Sequence, residues 1–80
     1  MSKQFQIKLA SADLGQLLDG LEARAASWER TADFLGSGYL ADDSFVIEEC
    51  DDEEEARGVG NHYREIIADI RMQIAEQGGW

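Results

Sequence analysis

The chain is poor in the residues that most small functional sites depend on. Its 80 residues contain one cysteine, one histidine and only seven lysines and arginines, against 17 aspartates and glutamates. Cys50 has no second cysteine with which to form an internal disulfide, and Met1-Ser2-Lys3 leads into no apolar signal region, so the expected setting is a reduced, cytoplasmic one. No stretch approaches the roughly 18 consecutive apolar residues of a membrane span. A formal net charge of −10 has the wrong sign for attraction to phosphate or to an anionic bilayer, which disfavours direct nucleic-acid or membrane binding. At 44% apolar residues the chain is nevertheless too hydrophobic for a disordered acidic tail. It reads as one small domain, residues 1–80, with 78–80 as a flexible tail. Its core is marginal, because a chain this short hides only about 60% of the surface that its unfolded form exposes.

The charge is not spread evenly. Residues 42–55 hold Asp42, Asp43, Glu48, Glu49, Asp51, Asp52, Glu53, Glu54 and Glu55 and no base, while the other 66 residues hold eight acids and seven bases. One window therefore carries nine of the ten excess negative charges. Phe45-Val46-Ile47 lies inside it, and three bulky apolar residues there suggest a segment anchored to a core.

Elsewhere hydrophobic periodicity predicts the elements. Phe5, Ile7 and Leu9 alternate with Gln4, Gln6 and Lys8, the period of a half-buried strand. Ser11 is suited to cap the helix that follows. Leu14, Leu18, Leu21, Ala25, Trp28, Ala32 and Leu35 fall on one helical stripe, widened by Leu17 and Phe34 and stopped by Gly36-Ser37-Gly38. Gly15 and Gly20 interrupt this helix, either as points of close contact or as residues merely tolerated there. Residues 39–43 read as a loop and 44–50 as a short strand or extended acidic segment. A second helix runs from about Asp52 to Gln77 with Ala56, Val59, Tyr63, Ile66, Ile67, Ile70 and Ile74 on its apolar face. Two capping boxes compete at its start, Asp51 with Glu54 and Asp52 with Glu55. The order strand, long helix, short strand, long helix gives an α+β fold with the helices side by side. A two-stranded sheet is weak alone, so two copies joining strand edges or helix faces would make a homodimer with a larger core.

Two sets of acids are candidates for binding a partner. On the first helix Asp19, Glu22, Glu29 and Asp33 share one side over roughly 21 Å at 1.5 Å per residue. Arg57, Arg64 and Arg71 recur every seven residues on the second helix, and an antiparallel pair of helices could set that row beside the acids, making them structural. In the 42–55 block, capping accounts for some of Asp51 to Glu55, but nothing local accounts for Asp42, Asp43, Glu48 and Glu49. Concentrating like charge costs self-repulsion, and a basic partner would relieve it.

Metal and catalysis find less support. The run Asp42 to Glu53 has the length of an EF-hand loop, but Ser44 and Val46 stand at ligand positions and Ile47 where the turn glycine belongs, so no metal site is assigned. Cys50 and His62 could in principle form a thiol-imidazole pair. Neither sits in a catalytic motif, and structural roles are expected for both. Trp28 is expected in the core.

The run Asp42-Asp43-Ser44-Phe45-Val46-Ile47-Glu48-Glu49-Cys50-Asp51-Asp52-Glu53-Glu54-Glu55, in a chain under a hundred residues with no catalytic constellation, resembles the small phage-encoded inhibitors of host nucleic-acid machinery. Anti-CRISPR proteins aimed at type I surveillance complexes are the class it is most similar to. The resemblance implies a non-enzymatic, cofactor-free steric or DNA-mimicking inhibitor that covers the basic surface on which a CRISPR-Cas complex holds nucleic acid. Asp42, Asp43, Glu48, Glu49, Asp51, Asp52, Glu53 and Glu54 would then make the contact, with Asp19, Glu22, Glu29 and Asp33 as a secondary stripe. Two other classes also suit these features: an acidic antitoxin or adaptor that masks a basic toxin or nuclease with the same surface, and a structural dimerisation module in which the helix stripes do the binding and the acidic block only keeps the protein soluble.

Overall fold

The computed structural model describes residues 3–38 and 47–79. Two antiparallel helices, α1 (Ser11–Ser37) and α2 (Glu53–Glu76), form a hairpin. The described residues contain no strand, which overturns the α+β expectation in favour of an all-helical hairpin. A strand needs a neighbour for its backbone groups, and alternation alone does not supply one. Residues 3–10 belong to no helix or strand, with Phe5 and Ile7 about three-quarters exposed at 73% and 76%. Of the second expected strand, 44–46 lies outside the described residues. The backbone N–H of Glu48 donates to the Thr31 hydroxyl at 2.9 Å, onto α1 and not to a strand partner.

Both helices carry their apolar residues at the spacing that the sequence predicts. Leu18, Ala25 and Ala32 on α1, and Ala56 and Ile67 on α2, are buried, and Leu21, Tyr63, Ile70 and Ile74 pack around Leu18, Ala25 and Ile67. Side-chain size differs along the seam. Toward the end of α1 and the start of α2 the buried residues are Ala25, Thr31, Ala32, Ala56 and Gly60, and a Cβ on Gly60 would lie 3.4 Å from Glu29 Cγ and 3.5 Å from Trp28 Cβ. Small residues there permit close approach of the two backbones. Toward the open end leucines and isoleucines take over. Gly15 and Gly20, by contrast, have nothing within 4 Å of an added Cβ, so they are open positions that tolerate glycine. Trp28 is half-buried under the Arg24 guanidinium, 5.9 Å from the ring centroid.

The helix ends follow local chemistry. α1 stops where Gly38 enters the left-handed region at φ 73° and donates its N–H to the Phe34 carbonyl, the αL cap that a glycine permits. Its start has no side-chain cap, because Ala10 occupies the cap position and Ser11 is already the first helical residue. At α2 the second of the competing capping boxes is used: Asp52 Oδ1 accepts from the Glu55 N–H at 2.8 Å, and Glu55 Oε2 accepts from the Asp51 N–H at 2.7 Å. Gly78 and Gly79 also have positive φ, and the Gly79 N–H returns to the Ile74 carbonyl. No helix among the described residues is long and apolar enough to cross a membrane.

Candidate partner-binding surface

The acidic stripe of α1 and the arginine row of α2 meet across the seam. Glu22 pairs with Arg71, Glu29 with Arg64 at 2.8 Å, and Asp33 with Arg57 at 3.2 Å. The first two rungs keep a strict seven-residue register, and the third position in that register on α1 is Gly36. Arg57 therefore turns to Asp33 and to Glu53, 2.8 Å away on its own helix. The Glu53 carboxylate fills the space a side chain on Gly36 would occupy, 2.7 Å from the position of its Cβ. Hydrogen bonding from Arg64 is the main reason the Glu29 carboxyl is held below its ordinary range, with burial opposing it. The hydrogen bonds from Arg57 to Glu53 and from Arg64 to Glu29 push both guanidinium groups further toward the charged form. Three of the four stripe residues are thus consumed inside the molecule. Asp19, the fourth, is exposed and lines the same shallow cleft as Arg71.

The acidic block divides in the same way. Glu48 is clasped to α1: its Oε1 accepts from the Ser27 hydroxyl at 2.9 Å and lies 3.1 Å from Arg24 Nη1, while its backbone N–H reaches buried Thr31. Its side chain is only 15% exposed. It anchors the segment entering α2, a role expected of Phe45-Val46-Ile47, of which the first two lie outside the described residues. Asp52 and Glu55 cap α2, and Glu53 is held by Arg57. Asp42 and Asp43 also lie outside the described residues. Glu49, Asp51 and Glu54 remain, exposed at the start of α2 with no base paired to their side chains among the described residues.

Arg24, Ser27 and Thr31 share one side of α1 and bind Glu48 together, a clasp that charge counting alone misses. Its only trace in the sequence is that three polar residues recur at helical spacing beside the apolar stripe.

The thiol-imidazole pairing is not assembled. Cys50 Sγ donates to the Asp52 carbonyl at 3.8 Å, and His62 stands 3.9 Å from Glu65 with its side chain 72% exposed. Burial of the sulfur, followed by the nearby charges of Glu55, Asp52 and Asp51, pushes the Cys50 thiol up and away from the reactive thiolate. Among the described residues no group of three or more histidines, cysteines and carboxylates is placed to hold a metal ion. No protein-family model, curated protein or solved structure matches the chain.

Proposed function

We propose that the protein is a small acidic binding protein whose exposed carboxylates at the start of α2 dock on a compact basic patch of a partner, and that the partner surface is one on which a CRISPR-Cas surveillance complex holds nucleic acid. One contrast carries the reading. Glu22, Glu29, Asp33, Glu48 and Glu53 each meet an arginine of the same chain, whereas Glu49, Asp51 and Glu54 cluster in solvent with none among the described residues. The contact set is thereby narrower than the acidic block, with Asp42 and Asp43 adjoining it in sequence. A rod of charge matching a DNA strand does not fit a stripe already neutralised by arginines, so obstruction of a local basic patch is favoured over duplex-length mimicry.

The test is a competition between this protein and target DNA for a purified type I complex at two salt concentrations. DNA binding should fall as the protein is added, and less so at high salt, because a carboxylate cluster replacing phosphate uses the same screened potential. Undisturbed DNA binding at low salt overturns the assignment to that partner.

A further inference from the structure

The hairpin and the segment that leads into α2 are held by separate sets of contacts. The two helices are joined by the cluster around Leu18, Ala25 and Ile67 and by the Glu22–Arg71, Glu29–Arg64 and Asp33–Arg57 pairs. No residue of 47–50 belongs to either set, and none of the four is fully buried. Glu48 ties this segment to α1 by polar contacts, its backbone N–H to Thr31 and its carboxylate to Ser27 and to a half-exposed Arg24. On the other side the segment meets a unit that closes on itself. Asp52 accepts from the Glu55 N–H and Glu55 accepts from the Asp51 N–H, so the first turn of α2 is capped without help from Glu48.

We infer that residues 47–50 form a latch that opens and closes on α1 while the hairpin and the α2 cap stay intact, and that its position sets where Glu49 stands and whether the half-buried Cys50 thiol is covered. Opening replaces the Glu48 contacts with hydrogen bonds to water, a small net loss for each, and uncovers little apolar surface. It therefore needs less free energy than parting the helix seam, and the two events are separable. Glu49 follows Glu48 directly, so an open latch takes one carboxylate out of the exposed cluster and leaves Asp51 at the cap and Glu54 on the helix. For a partner that needs all three, the closed latch is the competent form, and the apparent affinity falls with the fraction that is open. That consequence rests on the proposed function; the latch itself does not.

Native-state hydrogen exchange of the full chain, with no partner present, tests it. Protection of the Glu48 amide should be at least about tenfold weaker than that of the Ala25 and Ile67 amides in the buried seam. It should also stay constant as urea is raised below the unfolding transition while theirs falls, because the urea slope follows the surface exposed. Ser27→Ala removes one bond of the clasp and puts a better helix former into α1, so it should speed exchange at Glu48 by about two- to tenfold and leave Ala25 and Ile67 no less protected. Alkylation of Cys50, the only thiol of the chain, should quicken in step. Glu48 protection that equals that of the seam and falls with urea alongside it overturns the inference. So does a Ser27→Ala variant in which Glu48 exchange is unchanged, or in which Glu48 and Ala25 lose protection by the same factor. If exchange behaves as stated and the protein leaves the type I complex unbound, the functional reading fails and the latch stands.

Discussion

Arg64 grips both carboxylate oxygens of Glu29 across the helix seam, Nε to Oε2 at 2.9 Å and Nη2 to Oε1 at 2.8 Å. This two-point contact fixes direction as well as distance. It places residue 29 of α1 opposite residue 64 of α2, and Glu22 with Arg71 repeats the same register one heptad along. Exposed ion pairs add little to stability, so the ladder selects the antiparallel alignment while the apolar stripe supplies the driving force.

The pairing makes stability depend on pH in a definite sense. The Glu29 carboxyl is depressed below its ordinary value of 4.5, chiefly by hydrogen bonding from Arg64. A carboxyl depressed in the folded state stabilises the fold above its unfolded pKa, and that contribution disappears as pH falls through the folded value. Glu29→Gln should therefore lower the Tm at pH 7, and the difference from wild type should shrink toward zero as the pH is taken well below 4.5. A difference of constant size across that range would show that the charge of Glu29 is not what matters.

Thr31 is fully buried and links α1 to the segment before α2, donating to the Ser27 carbonyl at 2.9 Å and accepting from the Glu48 N–H. Thr31→Val keeps the shape and removes the acceptor. Leaving that backbone N–H unsatisfied should cost about 1–3 kcal/mol, read as a lower denaturation midpoint in urea with an unchanged slope. Thr31→Ser should recover most of the loss.

Gly20 lies in the interior of α1, exposed, with nothing within 4 Å of the position a Cβ would take. Gly20→Ala should stabilise the protein by up to about 1 kcal/mol through helix propensity alone, a rise in Tm of several degrees for a domain this small. Gly38→Ala should do the reverse, since its φ of 73° suits glycine.

Cys50 is predicted to be a slow nucleophile. With its thiol pushed up by burial and by the charges of Glu55, Asp52 and Asp51, alkylation by iodoacetamide near neutral pH should be slower than that of an unstructured cysteine peptide. Asp51→Asn should speed it modestly. Alkylation faster than the peptide would contradict a thiol held in its protonated form.

Much of the helical architecture is legible in the residue pattern, because a helix leaves a periodic record of its buried face. The stripe from Leu18 to Ala32, the glycine stop at Gly38 and the face from Ala56 to Ile74 all follow that record, whereas Leu35, expected on the same stripe, is exposed at the end of α1. The seven-residue spacing of Arg57, Arg64 and Arg71 likewise signals the cross-helix pairing. The arm at 4–9 departs from its pattern because alternation specifies two faces but not a neighbouring strand. Ser11 does not cap α1 because the helix begins at that residue itself. Glu48 cannot be separated from Glu49 by inspection: the path of the chain before α2 turns one onto Arg24 and Thr31 and leaves the other in solvent.

Whether the exposed cluster at the start of α2 makes the contact is decided by a matched pair of triple variants. Glu49→Lys, Asp51→Lys and Glu54→Lys reverse the cluster while sparing Glu48, Asp52, Glu53 and Glu55, which hold the fold. Asp13→Lys, Asp69→Lys and Glu76→Lys change net charge by the same amount at exposed sites outside it. The quantity to measure is the affinity of each variant for the type I complex, with helicity checked alongside. The cluster variant should lose at least about tenfold, because like charges would then face each other, and its counterpart should bind with near wild-type affinity. Equal affinities for the two would contradict a contact made by Glu49, Asp51 and Glu54.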